Sequence, residues 1–386
     1  MSRPMSVEPF HSSGNSPGAS FSSPAALLPV EPRCKVALLG CGTVGSAVAR
    51  RLAARRVPGL ELISILDRHA ESKARALALD APGLVWTTRF EDVLTGDADI
   101  VVELVGGMDP AADWTRRLLG VGKSVVTANK QVVAREGPSL LALAERQGRQ
   151  LRYEAAVGGA MPIVRAIGEG LAGDRLTRIV GILNGTSNAV LSRMDATGCS
   201  LAQALTEARE AGYAEADPSA DLDGHDARAK LAILCALGFA LRVDPARIET
   251  RSIALLQIAD IHQARRRGGT IRQLAFASVD PRRSALTAWV APAIVARDSL
   301  FARTTGPANA AIVSGRHAGD IGIFGAGAGG EATAVAVVAD LLAIASDRAA
   351  IRPAPLLTMP AIVTGLERGT HIVDFIDAGR TVAEAV

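Results

Sequence analysis

The sequence predicts an α/β protein: a doubly wound parallel sheet followed by a second, mixed α+β domain. Three observations predict it. From residue 33 to about 158, short apolar runs alternate with segments of helical spacing. The first junction reads GCGTVG, Gly40 to Gly45, between a strand-like run and a helix. From about 159 the alternation stops, and a helical block gives way to several strand-like runs.

Each element has its own reason. KVALLG is a short apolar run and reads as a strand. TVGSAVARRLAARR has helical spacing and ends in arginines, which suit the negative pole of a helix dipole. ELISILD (strand), HAESKARALAL (helix), ADIVVELVGG (strand) and PAADWTRRLLGVG (helix) continue the alternation. KSVVTANK follows as strand and loop, GPSLLALAERQG as a helix and QLRYEAAVGG as a strand. In the second part LTRIVGILNGT is strand-like, and SNAVLSRM, LAQALTEAREAG and AKLAILCALGFAL are helical. IRQLAFASV, ALTAWVAPAIV, ANAAIVSG and DIGIFGAG then read as strands. EATAVAVVADLLAIASDRAA is a long helix, apolar on most faces, expected to pack back on the first domain. The expected organisation is a disordered extension over 1–32, a dinucleotide-binding domain over 33–158 and a second domain over 159–320. A returning glycine loop and helix over 321–350 and a tail over 351–386 complete it.

Bulk composition narrows the function. The 386 residues are 48% hydrophobic and 21% charged, ordinary for a soluble protein of two domains. With 42 basic and 39 acidic residues the net charge is +3, too even to imply nucleic acid or an acidic membrane surface as partner. Cys34, Cys41, Cys199 and Cys235 form no C-x-x-C pair, so neither a zinc site nor a redox pair is indicated. They read as reduced thiols of a cytoplasmic protein. No apolar run reaches the ~18 residues of a membrane span. Residues 1–32 are rich in Ser, Pro and Gly and lack the apolar core of a signal peptide.

The glycine loop carries the first chemistry. Gly40 allows a tight turn, Gly42 lets backbone approach a pyrophosphate, and Gly45 lets the helix sit close to the sheet. The helix N-terminus then faces the anion with free N–H groups. Asp67, at the end of the second strand, is placed to bind ribose hydroxyls and favours NAD. Arg68 beside it, with Lys73 and Arg75, could hold the extra phosphate of NADP, so both cofactors stay open.

The stretch DLDGHDARAK, 221 to 230, pushes three aspartates and a lysine against an apolar helix. Asp226 and Lys230 are four apart and share a helix face if a helix starts near Gly224. By spacing alone this fits a solvated helix pair as well as a site.

VVELVGG (101–107), VVTANK (125–130), YEAAVGGAMPIVRAI (153–167), GILNGTSN (181–188), GYAEADPSADLDGHDARAKLAIL (212–234) and FGAGAGGEATAVAVVADL (324–341) occur in order. Through these motifs the chain resembles homoserine dehydrogenases from about residue 35 to 345. The resemblance implies a Rossmann-type domain joined to a catalytic and dimerisation domain, working as a homodimer. It implies interconversion of L-homoserine and L-aspartate 4-semialdehyde with NADP or NAD, in threonine, methionine and isoleucine synthesis. By resemblance Glu215 and Asp221 hold the amino-acid substrate, and Asp226 assists Lys230. Lys130 lies between nicotinamide and substrate, and Lys130 and Lys230 together are the expected acid–base lysines. A lysine near the carbonyl oxygen can stabilise the alkoxide and give it a proton.

The cofactor set is then Gly40, Gly42, Thr43, Val44, Gly45, Asp67, Arg68, Lys130 and Gly327, with Gly327 on the loop that closes over the cofactor. Asn184, Gly185 and Thr186 either turn the chain or offer N–H groups to a ligand. By resemblance YEAAVGGAMP holds a structural monovalent cation, Na⁺ or K⁺. Its ligands would be a Glu154 carboxylate oxygen and the carbonyls of Val157, Gly159 and Met161; oxygen-only ligation suits a hard ion. Many bacterial relatives add a ligand-sensing ACT domain. The ~40 residues after the last helix are below the size that builds its own core. No intact ACT domain, and no threonine inhibition through one, is therefore expected.

Overall fold

The computed structural model describes residues 34–54, 57–280, 285–346, 359–360, 362–365 and 372–376. The expected extension over 1–32 and most of the tail lie outside these residues.

Six parallel strands make the first sheet: β1 (Cys34–Leu39), β2 (Leu60–Leu66), β3 (Val85–Thr87), β4 (Ile100–Glu103), β5 (Ser124–Thr127) and β6 (Leu151–Arg152). Their order is β3-β2-β1-β4-β5-β6, so the chain reverses its direction of travel between β1 and β4. Helices α1 (Thr43–Ala53), α2 (Ala70–Leu77), α3 (Phe90–Thr95), α4 (Ala111–Gly120) and α5 (Lys130–Arg146) connect them. This is the predicted doubly wound sheet, and the crevice outside the β1 and β4 carboxyl ends is where such sheets bind ligands.

In this first part, two elements and several boundaries differ from expectation. β3 and α3 were not predicted, because VWT and FEDVLT are too short to show a period. α5 starts at Lys130, seven residues before the predicted Gly137, because Asn129 caps it by accepting from the N–H groups of Gln131 and Val132. Pro138, which looks like a helix start, lies inside it. Of QLRYEAAVGG only Leu151–Arg152 is strand; Glu154–Ala156 tightens into a 3₁₀ turn.

After α6 (Ile163–Arg165) the second part is built on a mixed sheet, as predicted. Its strands are β7 (Leu176–Ile182), β10 (Gly269–Asp280), β11 (Ala285–Ala296), β12 (Ala308–Gly315), β13 (Gly319–Ala326) and, in the tail, β15 (Ile362–Thr364). The order is β13-β12-β7-β10-β11-β15; β9 (Glu249–Thr250) and β16 (Val373–Asp374) also pair with β11, and β8 (Leu241–Arg242) pairs with β14 (Met359–Pro360). Helices α7 (Gly185–Thr197), α8 (Leu201–Glu210), α9 (Ser219–Leu222), α10 (His225–Phe239), α11 (Ile258–Arg266) and α12 (Leu300–Arg303) complete it.

The long α13 (Gly330–Ala345) returns to the first sheet. Ala334, Val337 and Leu341 share one buried cluster with Val36 and Leu38 of β1 and Val48 of α1. Among the described residues no helix is long and apolar enough to cross a membrane.

α10 is buried on nearly every side. Leu231, Ala232, Leu234 and Cys235 share a cluster with Val132 and Leu140 of α5 and with Ile179, Ala275 and Val290 of the mixed sheet. Its start is fixed by Gly224, at φ +77°, where a Cβ would sit 2.9 Å from Val290 Cγ1. Gly224→Ala therefore meets both a disfavoured backbone region and a packed side chain. A loss of about 1–3 kcal/mol is expected, read as a lower midpoint in thermal unfolding. An unchanged midpoint would show that the α10 start can relax.

Candidate active site

The loops after β1 and β4 meet in the crevice. Gly40 has φ +93°, and a Cβ on it would come within 2.9 Å of the Leu104 carbonyl oxygen. A Cβ on Gly45 would lie 2.2 Å from the Gly40 carbonyl oxygen, so only glycine lets α1 start this close to β1. A Cβ on Gly42 would meet nothing within 4 Å. That open space lies over the N-terminus of α1, which no side chain caps. The site therefore fits the pyrophosphate of a dinucleotide. Thr43 is exposed there, and Val44 is half-buried against the core of this sheet.

Asp67 is tied into the same loop. Its Oδ2 accepts the N–H of Cys41 and its Oδ1 that of His69, each at 2.8 Å. Arg68 beside it is exposed. The start of α13 rests on this loop, since a Cβ on Gly330 would be 2.6 Å from the Thr43 carbonyl oxygen. Gly327 is enclosed: a Cβ on it would lie 2.2 Å from Asn309 Oδ1. Ala328 and Gly329, not Gly327, are the exposed residues of the returning loop.

Beside the crevice the predicted catalytic residues converge. Lys230 Nζ lies 2.7 Å from Asp226 Oδ2, one turn away on α10, and donates to the Leu183 carbonyl at 2.8 Å. Lys130 Nζ, from the first residue of α5, lies 2.8 Å from Asp226 Oδ1. One carboxylate is thus shared by two ammonium groups from different halves of the chain. The Asn184 amide donates to Asp226 Oδ2 at 2.8 Å and to Asp221 Oδ1 at 2.7 Å. The Asn184 Oδ1 caps α7 by accepting from the Ser187 N–H. Glu215 stands exposed on the loop before α9, close enough for its charge to act on Lys130. His225 is exposed, and Asp217 accepts from the Ser219 N–H as a turn residue does.

The charges sort themselves by burial. Asp226 is only 7% exposed at its side chain. Burial would push its carboxyl up, but Lys230 and Lys130 overcome this and hold it well below the usual carboxylate range. Lys130 is raised above the ordinary lysine value, chiefly by Asp226, against burial and with help from Asp221 and Glu215. Burial raises Asp221, opposed by the Asn184 bond.

The Glu154 carboxylate is held at the start of the following helix. Its Oε1 accepts the Val164 N–H at 2.9 Å and its Oε2 the Arg165 N–H at 2.8 Å. Burial, with Asp340 nearby, pushes it up to about 7. The physical reason is that a buried carboxylate takes the nearest free N–H groups, here those of α6. The Met161 carbonyl accepts the Ile163 N–H, so Val157 and Gly159 offer the less committed carbonyls for a cation.

A model of the homoserine dehydrogenase NAD-binding domain matches residues 40–154, and the homoserine dehydrogenase model matches 162–342. Homoserine dehydrogenase from Synechocystis is 41% identical over 315 residues, spanning 80% of this chain and 73% of the relative. The chain belongs to the homoserine dehydrogenase family. The Bacillus subtilis homoserine dehydrogenase is 35% identical over 80% of this chain and 72% of its own. The crystal structure of a homoserine dehydrogenase from Thiobacillus denitrificans superposes with a TM-score of 0.78 at 37% identity, covering 86% of this chain and 79% of that one. A hyperthermophilic archaeal homoserine dehydrogenase in complex with NADPH superposes with a TM-score of 0.69 at 27% identity, over 81% and 98%.

Sequence reasoning missed the Asn184 side chain. An Asn closing a strand before a small-residue helix start is a capping signal, and it could have been found. The Lys130–Asp226 contact had no such signal, because nothing local joins residues 96 positions apart.

Asp226→Asn removes the charge that most raises Lys130. The Lys130 ammonium should then titrate at lower pH than in the native protein, followed by the ¹³Cε shift of labelled lysine. An unmoved titration would mean that Asp221 and Glu215, rather than Asp226, govern it.

Proposed function

We propose that the chain interconverts L-homoserine and L-aspartate 4-semialdehyde with NADP or NAD, and that Lys130 and Lys230 handle the proton. The observation that carries the reading is Asp226 shared by both lysines beside the dinucleotide crevice. A zwitterionic substrate needs anions for its ammonium, and Glu215 and Asp221 flank the lysines for that purpose. Bound at Gly40, Gly42, Thr43, Val44 and Gly45, the nicotinamide cofactor supplies the reducing equivalent.

The chain's own groups do the rest. Lys230 is anchored by Asp226 and the Leu183 carbonyl, so its charge is fixed in direction. Lys130, 39% exposed against 12% for Lys230, is the more accessible of the two, and in this reading it is the one that meets the carbonyl oxygen. As negative charge grows on that oxygen, the Lys130 ammonium stabilises it and gives up a proton. Asp226 keeps the ammonium charged until that moment.

Choice of cofactor turns on Arg68. Both Asp67 oxygens already accept backbone N–H groups, whereas Arg68 is exposed and among the described residues makes no ion pair, which supports NADP. A monovalent cation, Na⁺ or K⁺, belongs to the reading, held at Glu154, Val157, Gly159 and Met161 chiefly through carbonyl oxygens. So does a homodimer: Phe324 on the edge strand β13 is left 72% exposed. A cytoplasmic setting is consistent with four unpaired cysteines.

Two measurements test this. Native protein and Lys230→Ala are given L-homoserine with each oxidised cofactor, and absorbance of the reduced nicotinamide is followed. Turnover in the native protein that falls by about 100-fold or more in the variant is expected; no turnover with either cofactor would sink the reading.

The second is a pH profile in both directions. Oxidation needs a neutral Lys130, and its value lies above the ordinary ~10.4. Oxidation should therefore quicken with rising pH through the neutral and mildly alkaline range. Reduction uses the ammonium and should hold until pH passes that value. Oxidation that levels off near neutrality would remove Lys130 as the base.

A further inference from the structure

Glu103 ends β4 fully enclosed, at 0% exposure, and among the described residues it has no ion-pair partner. Such a carboxylate is costly to bury unless several donors hold it. Three do. Its Oε1 accepts the N–H of Val105 at 2.8 Å and of Gly106 at 3.3 Å. Its Oε2 accepts the Thr127 hydroxyl at 2.6 Å. Thr127 is the register partner of Glu103 across β4 and β5, and is also fully enclosed.

The chain of bonds continues toward the site. Thr127 Oγ1 accepts the Asn129 N–H at 2.9 Å. The Asn129 amide donates to the Gly107 carbonyl at 2.6 Å, and its Oδ1 caps α5 at Gln131 and Val132. The next residue after that cap is Lys130. The loop 104–107, which borders the cofactor crevice, and the backbone of Lys130 are thus held by one buried carboxylate.

The need for such support is visible in the charges. Lys130 places a cation in the first turn of α5, at the positive pole of its dipole, with no acid in that turn. That arrangement is unfavourable by itself. A side chain with 39% exposure there would be free to swing away from Asp226 unless its backbone were fixed.

We propose that Glu103, Thr127 and Asn129 are positioning residues that fix Lys130 against Asp226 and keep it in register with the cofactor loop. The proposal rests on the proposed role of Lys130, and it adds residues that touch neither substrate nor cofactor.

The test is a cycle of variants with two readouts. Thr127→Val keeps the shape and removes the hydroxyl link; Thr127→Ser keeps the link. Each is made in the native protein and in Lys130→Ala. Thr127→Val should lower kcat by about 10- to 100-fold with the KM for cofactor nearly unchanged. Thr127→Ser should restore most of it. In Lys130→Ala, Thr127→Val should cost little more, since the group it positions is gone. Independently of activity, backbone amides over 127–133 should exchange with deuterium faster in Thr127→Val than in the native protein.

An equal loss of kcat in both backgrounds, or unchanged exchange over 127–133, would overturn the proposal. A native protein that turns over no homoserine would instead defeat the proposed reaction; the exchange arm would still report on the link. Thr127→Ala, which also removes the hydroxyl link, should repeat the pattern if Thr127→Val folds poorly.

Discussion

Asp226 is a charge in an enclosed place, and its two counter-ions come from opposite parts of the chain. Lys230 is a local partner, four residues on along α10. Lys130 arrives from the parallel sheet, at the start of α5. A buried carboxylate deprived of its partners is strongly destabilising. The pairing therefore ties α5 and α10 together at the point where their apolar faces already pack. Val132 and Leu140 on α5 meet the cluster containing Leu231 and Leu234. The site and the joint between the two sheets are the same piece of structure. This also explains why so much charge precedes a helix as apolar as α10. The polar end lies beside the crevice, and the apolar length anchors it.

The parallel sheet was legible because its signals are local. A strand, GCGTVG and a helix follow one another within twenty residues, and the glycines have the steric reasons predicted for Gly40 and Gly45. The Asp226–Lys230 pair was legible through its four-residue spacing. Legibility failed where partners are distant or where two signals compete. Pro138 looks like a helix start, but the Asn129 side chain had already capped α5 nine residues earlier. The two N–H groups that the Glu154 carboxylate accepts, ten and eleven residues on, left no local mark in the sequence. The packing of Asn309 against Gly327 joins residues far enough apart in the chain that no local pattern announces it.

Two helix N-termini, those of α1 and α13, come together around the glycine loop, Gly330 lying against Thr43. Neither is capped by a side chain. Free N–H groups from both can thus address one anion, and Arg51 with Glu331 bridges the two helices outside it. Lower down, Asp340 of α13 accepts the Glu154 N–H and pairs with Arg165. α13 is therefore bound at its start to the crevice and further along to the turn that leaves the first sheet.

The same helix sets the order in which the molecule can be finished. Ala334, Val337 and Leu341 fill a place beside β1 and α1 that no earlier segment occupies. During synthesis the ribosome releases β1 and α1 nearly three hundred residues before their lid exists. The first half must wait, with an apolar groove open to water, until almost the whole chain has emerged. Nor is it a cassette that can be lifted out: cut before α13, it would keep its strands and lose the cover of its own core.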